Sequence, residues 1–125
     1  MTDFNHLKTS LKGIFETRNF QKEELEASNG FGDQYEVYKS KDFKMRLISD
    51  RGQSFIDLSS LTRTDWHDLG LFFSILKNVP YGKNEVSTLI KFLKDQYEDI
   101  VLMLSTKGWE NTEDQIKKLV SGGVL

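Results

Sequence analysis

The sharpest pattern of apolar and polar positions lies in residues 34–58, QYEVYKSKDFKMRLISDRGQSFIDL. Phe43, Met45 and Leu47 alternate with Lys44 and Arg46, a period of two that predicts a half-buried strand. On the strand before it, Tyr35 and Val37 share one face, and Glu36 and Tyr38 the other. Ser40-Lys41-Asp42 turns the chain once. Asp50-Arg51-Gly52 turns it again, read as a longer hairpin loop with the glycine in the left-handed region. Phe55, Ile56 and Leu58, with Asp57 between them, make a third strand. Consecutive strands with short connections give an antiparallel meander. Its polar-alternating face implies that helices cover one side only.

Helical spacing flanks this stretch. Phe4, Leu7, Leu11, Ile14 and Phe15 line one face of a helix over residues 3–18, with Thr2 or Asp3 as its cap. Gly13 inside it costs about 1 kcal/mol relative to alanine and is read as a mark of close packing. Over residues 19–33 the pattern leaves open a solvated helical turn or a short edge strand, followed by a Ser28–Asp33 loop with Asn29-Gly30 in it. Thr64 or Asp65 opens the next helix, whose stripe is Trp66, Leu69, Phe72, Phe73 and Leu76; Asn78 and Pro80 end it. One long helix is expected from Asn84 to Leu104, stopped by Lys107-Gly108. Trp109 begins a loop, Thr112 caps a last short helix, and Gly122-Gly123 ends that. The expectation is an α+β fold: a three- to four-stranded antiparallel meander packed on one face by three to four helices, in a single domain over residues 1–125.

Composition narrows the picture. Nine Phe, four Tyr and two Trp offset an apolar fraction of 38%, so the core is aromatic-rich. With 19 acids against 17 bases, the net charge of −2 exerts little steering and argues against a nucleic-acid partner. The chain has no cysteine, which removes disulfides, thiolate catalysis and thiolate metal sites. No signal-peptide core and no apolar run of membrane-spanning length is present, so a cytoplasmic, soluble protein without membrane partners is expected.

Candidate chemistry is sparse. His6 and His67 show none of the spacings of a zinc site. Asp57, Ser59, Ser60, Asp65 and His67 assemble a Ser/His/Asp set only on paper, since no glycine-flanked nucleophile elbow surrounds either serine. Glu23/Glu24, Glu98/Asp99 and Glu113/Asp114 are adjacent in sequence, and neighbours on a helix do not face one another. Gly30-Phe31-Gly32 precedes a strand, the reverse of a phosphate cradle. Bases and aromatics interleave over residues 38–46, but alternation is expected to put Tyr35 and Phe43 opposite Lys44 and Arg46, splitting a nucleic-acid platform. Phe92, Leu102 and Met103 fall outside the long helix's main stripe; coverage by the C-terminal helix and Trp109 is the simpler expectation, and a partner or dimer patch the alternative. No catalytic, cofactor-binding or metal-binding residue is assigned.

The order of a helix, Tyr-x-Val-Tyr-Lys-Ser-x-x-Phe and Ser-Asp-Arg-Gly within residues 35–52, Phe-Ile-Asp-Leu at 55–58, and Asp68-Leu69 opening a helix resembles small bacterial proteins encoded beside polymorphic or contact-dependent toxins, among them immunity proteins. The resemblance spans residues 4–76. It implies a cytoplasmic, non-enzymatic protein-binding module that neutralises a secreted toxin domain by covering an essential surface, with no cofactor. It carries over no functional residue. Side-chain type adds a recognition surface: Glu36, Tyr38, Lys44 and Arg46 on an outer sheet face, with Asp50 and Arg51 at the adjoining turn. The other readings are a small regulatory or structural homodimer, and an enzyme built on Asp57, Asp65 and His67.

Overall fold

The computed structural model describes residues 4–23 and 34–121. The Thr2/Asp3 cap, the Ser28–Asp33 loop and the Gly122-Gly123 stop lie outside them. The chain divides into two compact units, Met1–Trp66 and His67–Leu125. Five strands and five helices occur among the described residues, so the α+β class holds, with one strand and one helix more than expected.

In the first unit, helix α1 (Phe4–Thr17) is followed by strands β1 (Gln21–Lys22), β2 (Gln34–Lys39), β3 (Lys44–Asp50) and β4 (Gln53–Ser59). The strands are antiparallel neighbours in chain order. Of the two readings left open for residues 19–33, the edge strand is the one formed: Gln21 pairs with Lys39, and Lys22 with Tyr38. Asn19 adopts φ 58° just past α1, while the Phe20 amide donates to the Phe15 carbonyl. A left-handed residue of this kind ends a helix by satisfying its last carbonyls. Gly13 does not mark close packing, because a β-carbon there would meet no heavy atom within 4 Å.

α1 buries Phe4, Leu7, Leu11 and Ile14. The sheet face that holds Tyr38, Met45, Leu47, Ile56 and Leu58 lies beneath the helix. The Phe15 ring stacks on Tyr38 at 4.2 Å, and Phe20 meets both Phe15 and Phe43, at 6.0 and 5.4 Å. Three of those sheet residues (Met45, Leu47 and Leu58) have no exposed surface at all. The β3–β4 connection is tighter than expected. Asp50 pairs directly with Gln53, leaving a two-residue turn with Arg51 at φ 53° and Gly52 at φ 77°. Two positive φ values define a type I′ hairpin, whose twist matches that of the strands it joins.

In the second unit, β5 (His67–Asp68) precedes α2 (Leu69–Lys77), α3 (Val86–Asp95), α4 (Tyr97–Leu104) and α5 (Trp109–Val120). The helix expected from Thr64 or Asp65 therefore starts later, and Trp66 and His67 are not on it. Asn78, in the left-handed region, ends α2 as expected. The single long helix expected over 84–104 is two. Gln96 leaves helical geometry at φ −112° and ψ 24°, although its amide still donates to Phe92 and its carbonyl accepts from Ile100. Glu98 and Asp99 lie in the first turn of α4, where negative charge favours a helix N-terminus. α5 starts at Trp109, not after a loop; Thr112 is inside the helix, buried, with its hydroxyl donating to the Gly108 carbonyl.

Gly108 is a packing requirement. A β-carbon there would sit 2.1 Å from the Leu102 carbonyl oxygen. No helix among the described residues is long and apolar enough to cross a membrane.

Candidate protein-docking face

Strand register decides which candidate residues share a surface. Across β2–β3, Val37 pairs with Arg46 and Glu36 with Leu47; across β3–β4, Arg46 pairs with Asp57. Glu36 and Tyr38 therefore face α1 together with Met45 and Leu47. Lys44 and Arg46 project from the opposite face. The proposed recognition surface is thus two separate clusters, plus the hairpin tip.

The first cluster is internal to the fold. The Tyr38 hydroxyl donates to Glu36 Oε1 at 2.5 Å. Glu36 Oε2 accepts from Lys8 of α1 at 3.3 Å and lies 3.4 Å from Lys22 Nζ of β1. One carboxylate thereby ties α1 and the edge strand to β2. Burial pushes the Glu36 carboxyl up, but the Tyr38 hydroxyl and the two lysines outweigh it and hold the group below its ordinary value. Burial, then the Glu36 carboxylate, push the Tyr38 hydroxyl up. These residues are committed to holding α1 and β1 on the sheet.

The opposite face carries three cross-strand rows: Tyr35–Ile48–Phe55, Val37–Arg46–Asp57 and Lys39–Lys44–Ser59. Arg46 Nη2 and Nε both donate to Asp57 Oδ2, at 2.7 and 3.2 Å, with both side chains largely buried. The segment after β4 folds back over the sheet. Lys44 Nζ donates to the Arg63 carbonyl at 2.7 Å, and the Ser59 hydroxyl reaches the same oxygen at 3.4 Å. That return sets the Trp66 ring 4.8 Å from the Arg46 guanidinium carbon and 5.5 Å from Lys44 Nζ. Cations over an indole ring are attracted by its quadrupole. Trp66, expected inside a helix stripe, is instead part of this face.

Two observations correct the sequence reading here. Tyr35 lies on the same face as Lys44 and Arg46, so the expected separation of tyrosine from bases does not occur. Phe43 precedes β3 and is fully buried. Phe55, absent from the expected surface, is 39% exposed at the hairpin end of this face. Its parity with Asp57, against Ile56 and Leu58, is the sequence signal that points to it. Beyond it lie Asp50 and the exposed Arg51, at the turn.

Asp57 is engaged by Arg46, and Asp65 lies 3.9 Å from Arg63. The His67 ring packs 5.1 Å from Trp109. Among the described residues, no three His, Cys, Asp or Glu are grouped to hold a metal ion. No protein-family model, curated protein or solved structure matches the chain.

Proposed function

We propose that the chain is a non-enzymatic protein-binding module that acts in the bacterial cytoplasm and neutralises a toxin by covering one of its essential surfaces. The observation that supports the reading is the hairpin end of the sheet, where exposed Phe55 stands in a row with Tyr35 and Ile48 just behind Arg51. Aromatic and arginine side chains are the usual energetic anchors of protein interfaces. A two-residue turn and a paired ladder fix their positions before binding, which lowers the entropy lost on docking. Asp50 and Arg51 belong to this surface, with Lys44 and Arg46 further along the same face. Glu36 and Tyr38 serve the fold behind it.

The test is capture of partners from the native host with the intact chain, followed by expression of the recovered partner with and without it. Protection from that partner's toxicity, lost in Phe55→Asp, is the expected result. A partner that is not toxic, or protection that survives Phe55→Asp, overturns the reading.

The homodimer reading rests on less than expected. Phe92 is buried and meets Phe73 edge-on at 5.1 Å, which leaves Leu102, at 65% exposure, as the outward apolar residue of the strip. A monomeric mass at high concentration removes that reading.

A further inference from the structure

The register that unites Tyr35 with the bases also assembles, at the other end of the same face, a basic corner that shares Lys44 and Arg46 with the docking surface but not its anchors Phe55 and Arg51. Lys39 and Lys44 are directly opposite one another across β2–β3. Like charges placed so repel; Lys44 offsets this through the Arg63 carbonyl and the Trp66 ring, while Lys39 is exposed. Lys41 is exposed on the turn that joins the same two strands.

The ion pairs described in this unit lie elsewhere: Lys8 and Lys22 with Glu36, Lys12 with Glu16, Arg46 with Asp57, Arg63 with Asp65. Lys39, Lys41 and Lys44 join none of them. Beside these lysines Trp66 holds its ring over Lys44 and Arg46. The chain's net charge of −2 does not cancel this corner, because at physiological salt charges beyond roughly 8 Å are largely screened.

We infer that this corner is a binding site for single-stranded nucleic acid, with Lys39, Lys41 and Lys44 contacting successive phosphates and Trp66 offering ring surface to an unpaired base. Clustered cations with aromatic side chains on one sheet face are what such a strand requires: charge tracks the backbone, and a ring stacks on any base. A duplex keeps its bases stacked inside and leaves the ring nothing to engage. The inference goes beyond the toxin-neutralising reading and does not depend on Phe55 or Arg51.

The experiment is a fluorescence-anisotropy titration of the full chain against a short labelled oligothymidine and oligouridine over a range of salt. Tryptophan emission is followed in parallel. Binding is expected to weaken with a log–log salt slope of about −2, the value for three phosphate contacts to a single strand. Stacking on Trp66 should quench the emission. Lys39→Glu/Lys41→Glu, both at exposed positions, should weaken binding at least about tenfold at low salt. Trp66→Leu should abolish the quench. The inference is overturned by no binding at low salt, by unchanged affinity in the double variant, by equal affinity for a duplex of the same length, or by equal competition from poly-glutamate.

Discussion

Arg46 and Asp57 face each other across β3–β4, and two guanidinium nitrogens converge on a single carboxylate oxygen, at 2.7 and 3.2 Å. The pair is largely buried, so removing one partner strands the other's charge. Asp57→Ala is expected to lower unfolding free energy by about 2–3 kcal/mol, measured by urea titration. Because Arg46 also sits against Trp66, the same variant should alter tryptophan emission in the folded state. Unchanged stability would mean that the pair is no stronger than a surface contact.

The Glu36 node gives the fold a defined pH response. A carboxyl held below its ordinary value of 4.5 contributes stability above that pH and loses it as pH falls through the lower, folded-state value. Tyr38 works at the other end: raised above its ordinary 10.0, it keeps its proton when the unfolded chain has lost it, so stability falls as pH rises above about 10. Glu36→Gln should flatten the acid limb of the stability–pH profile while leaving its neutral region level. An acid limb of unchanged slope would assign it to other carboxylates.

Two glycines make opposite predictions. Gly108→Ala pushes a β-carbon into the Leu102 carbonyl, a backbone atom that cannot swing away, and should destabilise by about 1–3 kcal/mol. Gly13→Ala has open space on an exposed stretch of helix and should stabilise by about 0.5–1 kcal/mol. Thermal unfolding of both variants reads the contrast directly.

The parts legible in the sequence were those set by local chemistry. Period-two alternation marks β3, the Asp-Arg-Gly corner marks its hairpin, and apolar spacing marks α1. Asn78 punctuates α2 in the left-handed conformation its residue type tolerates. What the pattern does not carry is the relation between elements. Across β2–β3 an even-numbered residue pairs with an odd-numbered one, as in Glu36–Leu47, so Glu36 and Lys44 fall on opposite faces. Each strand's alternation is visible alone; the parity between strands depends on the geometry of the connection that joins them. Trp66 was hidden for a related reason. Its spacing to Leu69 imitates a helix, while its ring lies against Lys44 and Arg46, partners drawn from distant sequence. The break at Gln96 was hidden because apolar spacing continues across it.

Arg51 separates function from fold at the hairpin tip. A non-glycine residue at φ 53° pays a steric penalty of about 1 kcal/mol that asparagine largely avoids. Arg51→Asn should therefore raise the unfolding midpoint modestly, since Asn-Gly is the favoured type I′ pair. A lower midpoint would show that the arginine side chain stabilises the turn.

Docking through the hairpin tip is tested by the affinity of the captured partner for the wild-type chain and for Arg51→Asn, measured by titration calorimetry. The docking account predicts that affinity falls at least about tenfold, the loss of an anchor residue, in a variant that is equally or more stable. Equal affinity in that folded variant would contradict it and remove the hairpin tip from the interface.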